Sequence, residues 1–155
     1  MAERLSTGLR NEMVGPGGKS MADALEYGVI RIYTGSQPAT ADLAETGTLL
    51  VEITLASAAS TDPMTSGNGL TFAAAAAGSS PKTVAEVWSG VAEASGTAGW
   101  FRFYDLDYDT GDSSAAIRFD GSIATSGSDM DMVNTTITSG GTTTLDSGSI
   151  TVPAS

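Results

Sequence analysis

The chain has 155 residues, 41% of them apolar and only 16% charged, with a formal net charge of −11 and neither cysteine nor histidine. That length buries a core without disulfides or metals, and the apolar share separates the chain from disordered sequences. The missing residue types exclude disulfides, thiolate chemistry, cysteine zinc sites and Ser-His-Asp or Cys-His mechanisms. The acidic balance opposes phosphate backbones and anionic membranes, so neither nucleic acid nor membrane is an expected partner. No apolar run approaches a membrane span, and the start does not show the pattern of a secretory signal.

Residues 1–27 differ from the rest. Leu5, Leu9 and Met13 recur at helical spacing behind Ser6 or Thr7 as candidate N-caps, and Gly15-Pro16-Gly17-Gly18 ends that helix. Ser20 and Asp23 form an acidic capping pair for a second short helix, closed by Tyr27-Gly28. Arg4, Arg10 and Lys19 against Glu3 and Glu12 make residues 1–19 slightly basic, whereas the remainder is strongly acidic. This segment is expected to be a helical arm, with Leu5, Leu9, Arg10 and Met13 as candidate partner-binding residues. Its apolar stripe needs cover, either from another subunit or from the chain's own β domain.

Residues 28–155 read as strands. Val29 to Thr34 is a β-branched and aromatic run, and Thr48 to Leu55 is the next. Asn68-Gly69 turns into Leu70-Thr71-Phe72; Lys82 to Val91, Ala98 to Tyr104 and Ala115 to Asp120 follow. Val133 to Thr138 and Thr142 to Val152 are expected to pair as a hairpin through Ser139-Gly140-Gly141. The expected fold is mostly β: an antiparallel β-sandwich or jelly roll of about eight strands with a short helical N-terminal segment. Trp100, Phe103, Ile117, Leu49 and Val51 are core candidates.

Charges sit singly between apolar neighbours: Arg31, Arg102, Arg118, Glu52 and Glu86. Alternation puts each opposite its flanking pair, so adjoining strands would carry a charged ladder on the outer face. That face reads as a solvated surface or as a polar interface with a partner.

Asp105, Asp107, Asp109 and Asp112 resemble the opening of a calcium loop, since Ca²⁺ needs hard oxygens converging from a short turn. The glycine comes one position late and Ala116 stands where the bidentate carboxylate belongs. The competing reading is a solvated turn capped by its own aspartates, and no metal or other cofactor is expected. No catalytic residue is assigned.

Four stretches carry a resemblance: Arg4 to Asn11, Gly28 to Ala39, Ser95 to Phe103, and Asp120 to Ile123 with the Thr151 to Ala154 ending. Together they resemble small virion proteins of tailed bacteriophages and prophages. The resemblance implies a non-enzymatic, β-rich virion protein, a capsid decoration (cement) protein on the assembled shell or a tail or neck component. It further implies a homo-oligomer whose partners are other virion subunits, the major capsid protein first, assembled in the bacterial cytoplasm. Two other classes compete. Exposed aromatics along a groove would indicate a carbohydrate-binding adhesion module, and two converging, partly buried carboxylates a hydrolase.

Overall fold

The computed structural model describes residues 3–151. In chain order its elements are β1 (Arg4–Leu5), α1 (Thr7–Val14), α2 (Met21–Ala24), β2 (Val29–Thr34), β3 (Leu49–Leu55), β4 (Ser79–Pro81), β5 (Trp88–Val91), β6 (Gly96–Tyr104), β7 (Arg118–Ala124), β8 (Met130–Asp131), β9 (Thr136–Ile137), β10 (Thr142–Leu145) and β11 (Ser149–Thr151). The main sheet runs β1-β7-β6-β2-β3-β5-β10, with β8 beside β7 and β9 beside β6, while β4 and β11 form a separate pair. Every pairing is antiparallel except β7 with β8. The protein is therefore mostly antiparallel β, an open sheet of many strands consistent with the expected sandwich. Val152, the expected end of the last strand, and Pro153-Ala154 lie outside the described residues.

Alternation along the central strands sorts their side chains onto two faces. Ile30 pairs with Ile53 and Phe103, Ile32 with Val51 and Phe101, and Phe103 with Phe119, which makes one apolar face. An aromatic chain crosses it. Phe101 meets Phe119 edge-on at 5.7 Å, Phe119 meets Phe103 at 5.8 Å, and Phe72 bridges Phe103 and Trp88 at 5.7 and 5.3 Å. Phe103 and Val51 are buried as expected, whereas Leu49 and Ile117 are only partly covered. Trp100 is buried too, but three residues from Phe103 on one strand it must face the other way.

The N-terminal segment is built into this sheet. Its first described residues are strand: Arg4 and Leu5 pair with Asp120 and Phe119. Ser6 then caps α1, its Oγ accepting from Leu9 N and donating to Ala116 O at 2.7 Å, while its backbone N donates to Arg118 O at 3.0 Å. Gly8 permits this approach, because a Cβ there would collide with the carbonyl oxygens of Ala115 and Ala116. Leu9 has no exposure and belongs to the apolar core; Leu5 and Met13 are partly buried against it. Arg10 is exposed and bonds within its own helix, donating to Ser6 O and Thr7 Oγ1. Of the two covers open to the stripe, another subunit or the chain's own β domain, the structure shows the second, fully for Leu9 and in part for Leu5 and Met13; helical spacing reveals an apolar stripe but not what covers it. Ser20 caps α2 as expected, accepting from Asp23 N at 3.1 Å.

Several strand expectations need correction: residues 70–72 make only isolated bridges, Leu70 with Gly28 and Phe72 with Lys82, and the run from Thr142 divides into β10 and β11. Residues 83–87 hold no strand and turn at Val84-Ala85 ahead of β5, held by Glu86, whose carboxylate accepts from Thr71 N, Thr71 Oγ1 and Trp88 Nε1. The segments flanking Ser139-Gly140-Gly141 do not pair with each other: β9 joins β6 and β10 joins β5. The turn is anchored instead on Ala92, which donates to Gly141 O and accepts from Gly140 N, both at 2.8 Å.

Leu9→Ala should lower the stability of the isolated protein by about 2–5 kcal/mol in urea unfolding, whereas Arg10→Ala should stay within about 0.5 kcal/mol. A Leu9→Ala loss below about 1 kcal/mol would return the stripe to the surface.

Candidate functional site

The second face of the sheet carries the charges. Register places Arg4 beside Asp120, Asp120 beside Arg102, Arg102 beside Arg31 and Arg31 beside Glu52, one row across five strands. The cross-strand ladder expected from alternation is present, but it is not solvated. Arg102, Arg118 and Asp120 have no exposure. Arg102 grips Asp120 with two bonds, Nε to Oδ1 at 2.5 Å and Nη2 to Oδ2 at 2.8 Å. Arg31 Nε reaches Glu52 Oε2 at 2.7 Å.

Two loops bury the row, and the arginines hold them. Arg118 donates to the carbonyls of Ala41 (2.7 Å) and Asp42 (3.1 Å) in the loop before β3, and to those of Asp109 (2.8 Å) and Gly111 (2.7 Å) in the loop before β7. Arg102 Nη1 adds Leu43 O at 2.9 Å and Glu45 Oε1 at 3.0 Å. Glu45 ties the two loops together, because its carboxylate also accepts from Tyr104 OH at 2.6 Å and Gly111 N at 3.0 Å. Burial alone would raise the Glu45 carboxyl; the bonds from Tyr104 and Gly111 and the charge of Arg102 outweigh it and hold the group below the usual range. Trp100 stacks on Tyr33 at 4.6 Å and donates to Thr46 O.

Sequence reading missed this cover. The signal lay in the same strands: Tyr33, Trp100 and Tyr104 alternate onto the face of the arginines, and three large aromatics on one face require something above them.

The aspartates considered for calcium occupy the second of these loops. Carbonyl oxygens of Asp109 and Gly111, the kind of ligand a calcium loop supplies, point at the Arg118 guanidinium. Asp112 Oδ1 accepts from Ala44 N at 2.7 Å, and Asp107 and Asp109 are exposed. Among the described residues, no three acidic groups converge as a cation site. The cation this loop wraps is Arg118.

Below the apolar face lies a cleft of about 520 Å³, between the sheet and the segments 129–134 and 144–150. Phe72, Trp88, Phe101, Phe103 and Phe119 line its floor. Glu3, Asp129, Asp131 and Asp146 stand at its rim, and among the described residues none of them makes a salt bridge. Burial and the nearby Asp129 push the Glu3 carboxyl up. A smaller cavity of about 240 Å³ adjoins it, sharing Met132 and Asn134 as lining. This cleft is the candidate binding site, whereas the charged row is internal framework.

Comparison with known proteins finds no matching family model, curated protein or solved structure.

Burial, followed by the charges of Asp107 and Asp109, pushes the Asp105 carboxyl up to about 6. A folded value above the unfolded one means that the folded state binds the proton more tightly. This contribution to stability is complete below about pH 4 and is lost as pH rises through about 6. Asp105→Asn should therefore raise the urea midpoint relative to the native chain at about pH 7.5, and the gain should vanish below about pH 4. A difference that does not change across that range would contradict the assignment.

Proposed function

We propose that this chain is a non-enzymatic virion structural protein of a tailed bacteriophage or prophage, and within that class a capsid decoration protein bound to the assembled shell. The observation that carries the reading is the fate of the charges. The dense cluster of Arg102, Arg118, Asp120 and Glu45 is consumed internally, each group bonded to sheet or loop. Such a cluster stiffens a plate and leaves the surface free for docking. The resemblance in the four quoted stretches adds the class of particle.

The competing readings find less support. Trp88, Phe101, Phe103 and Phe119 are buried in the cleft floor and do not offer the open ring faces on which sugars stack. Glu3 and Asp129 are the converging carboxylates a hydrolase would need. Asp129 Oδ2, however, accepts from both Ser122 N at 2.7 Å and Ser122 Oγ at 2.8 Å, which fixes it as a turn acceptor.

Quantitative mass spectrometry of purified particles tests the proposal. A copy number on the order of hundreds per virion is expected, because a shell repeats its docking site by symmetry. A few to some tens of copies would move the protein to the tail or neck, and its absence from particles would refute the proposal.

A further inference from the structure

Among the described residues, the sheet ends on a strand paired on one side only. β10 pairs with β5 on one side and is the last strand of the path. Ala92 N donates to Gly141 O, which sets the alternation: Thr143 and Leu145 direct their backbone groups to β5, and Thr142 and Thr144 direct theirs outward. Exposed edges are ordinarily blunted by charge, proline or a bulge, because they template further strands. β10 is Thr-Thr-Thr-Leu and has none of these within it. The opposite end of the sheet, β1, is only two residues long.

A groove follows this edge. The two cavities lie side by side, with Met132 and Asn134 lining both; Thr142 and Thr143 line the smaller, and Thr144 and Leu145 the larger. One wall is therefore β10 along its whole length. The floor is the aromatic chain of the apolar face, the lip carries the fully exposed Val133, and the rim is acidic. Outward-directed backbone groups, apolar depth and acidic groups that make no salt bridge among the described residues call for an extended chain with apolar side chains on one side and cations on the other.

We propose that this groove binds an extended segment of a partner protein, which adds to β10 as a further strand, places apolar residues against the partly buried Phe72, Met130, Met132, Leu145 and Ile150 of the cleft and sets Lys or Arg against Glu3, Asp129 and Asp146. The inference rests on the proposed function only in taking the occupant to be a protein chain. It names the docking edge and the chemistry of what docks there.

The test uses the full chain and two blocked synthetic octapeptides, one alternating Ile with Lys and one alternating Ile with Glu, titrated by isothermal calorimetry. The Ile-Lys peptide should bind and the Ile-Glu peptide should not. Thr144→Pro removes an outward N–H at an edge where proline is tolerated, and should abolish binding with the thermal midpoint retained. Asp146→Lys should weaken the Ile-Lys peptide about tenfold, as loss and reversal of a rim charge predicts. Failure of the Ile-Lys peptide to bind, equal binding of both peptides, or undiminished binding to Thr144→Pro would overturn the proposal. Should Thr144→Pro unfold, the peptide pair and Asp146→Lys still decide. These titrations need no virus particle, so they fail or succeed independently of the copy-number measurement.

Discussion

An ion pair with no solvent exposure, Arg102 to Asp120, joins β6 to β7, and the loops over that face are arranged around it. Removing both charges from water costs several kcal/mol per ion, a penalty offset only when every remaining donor and acceptor finds a partner. Here that condition shapes the chain. Arg102 turns its third nitrogen to Leu43 O and Glu45, and Glu45 in turn accepts from Tyr104 and from the backbone of Gly111. Arg118, one strand over, needs carbonyls and takes them from both loops. The loops are ordered because the guanidinium groups require them, and the guanidinium groups are buried because the loops cover them.

This arrangement divides the two faces by kind of force. The inner face is held by apolar area and by aromatic contacts, which are tolerant of direction. The outer face is held by directional, charge-assisted hydrogen bonds, which fix loop positions more sharply than apolar packing can. The proposed docking groove lies on the inner side, where apolar depth is available.

Much of the architecture was legible in the sequence, for identifiable reasons. Val29 to Thr34 forms β2 over the expected residues, since β-branched residues on both faces suit a strand covered on both sides. Ser6 and Ser20 cap their helices through local bonds that need no tertiary context. What was not legible depended on long-range contact. Arg102 between two phenylalanines looks the same whether water or a loop lies above it, so its burial had to wait for the positions of residues 41–45. Leu9 likewise has one periodicity whether covered in cis or in trans. The turn at 139–141 was readable as a turn, but its partners were set by Ala92, far back in the chain. For the candidate site, only Phe103 of the aromatic floor stands among the core candidates read from sequence, because Phe72, Trp88, Phe101 and Phe119 come together through strand pairing, while its acidic rim gathers Glu3, Asp129 and Asp146 from separate regions and left no local pattern.

The account stands on Arg118 and Arg102 acting as the anchors of the outer loops. Native-state hydrogen exchange on the Arg118→Met variant, read at the amides of residues 35–48 and 105–113 against those of β2, β6 and β7, tests this most directly. Protection should collapse in the two loops and persist in the strands, as expected of a region whose local stability comes from one group. Loops that keep their native protection without the guanidinium would contradict the account.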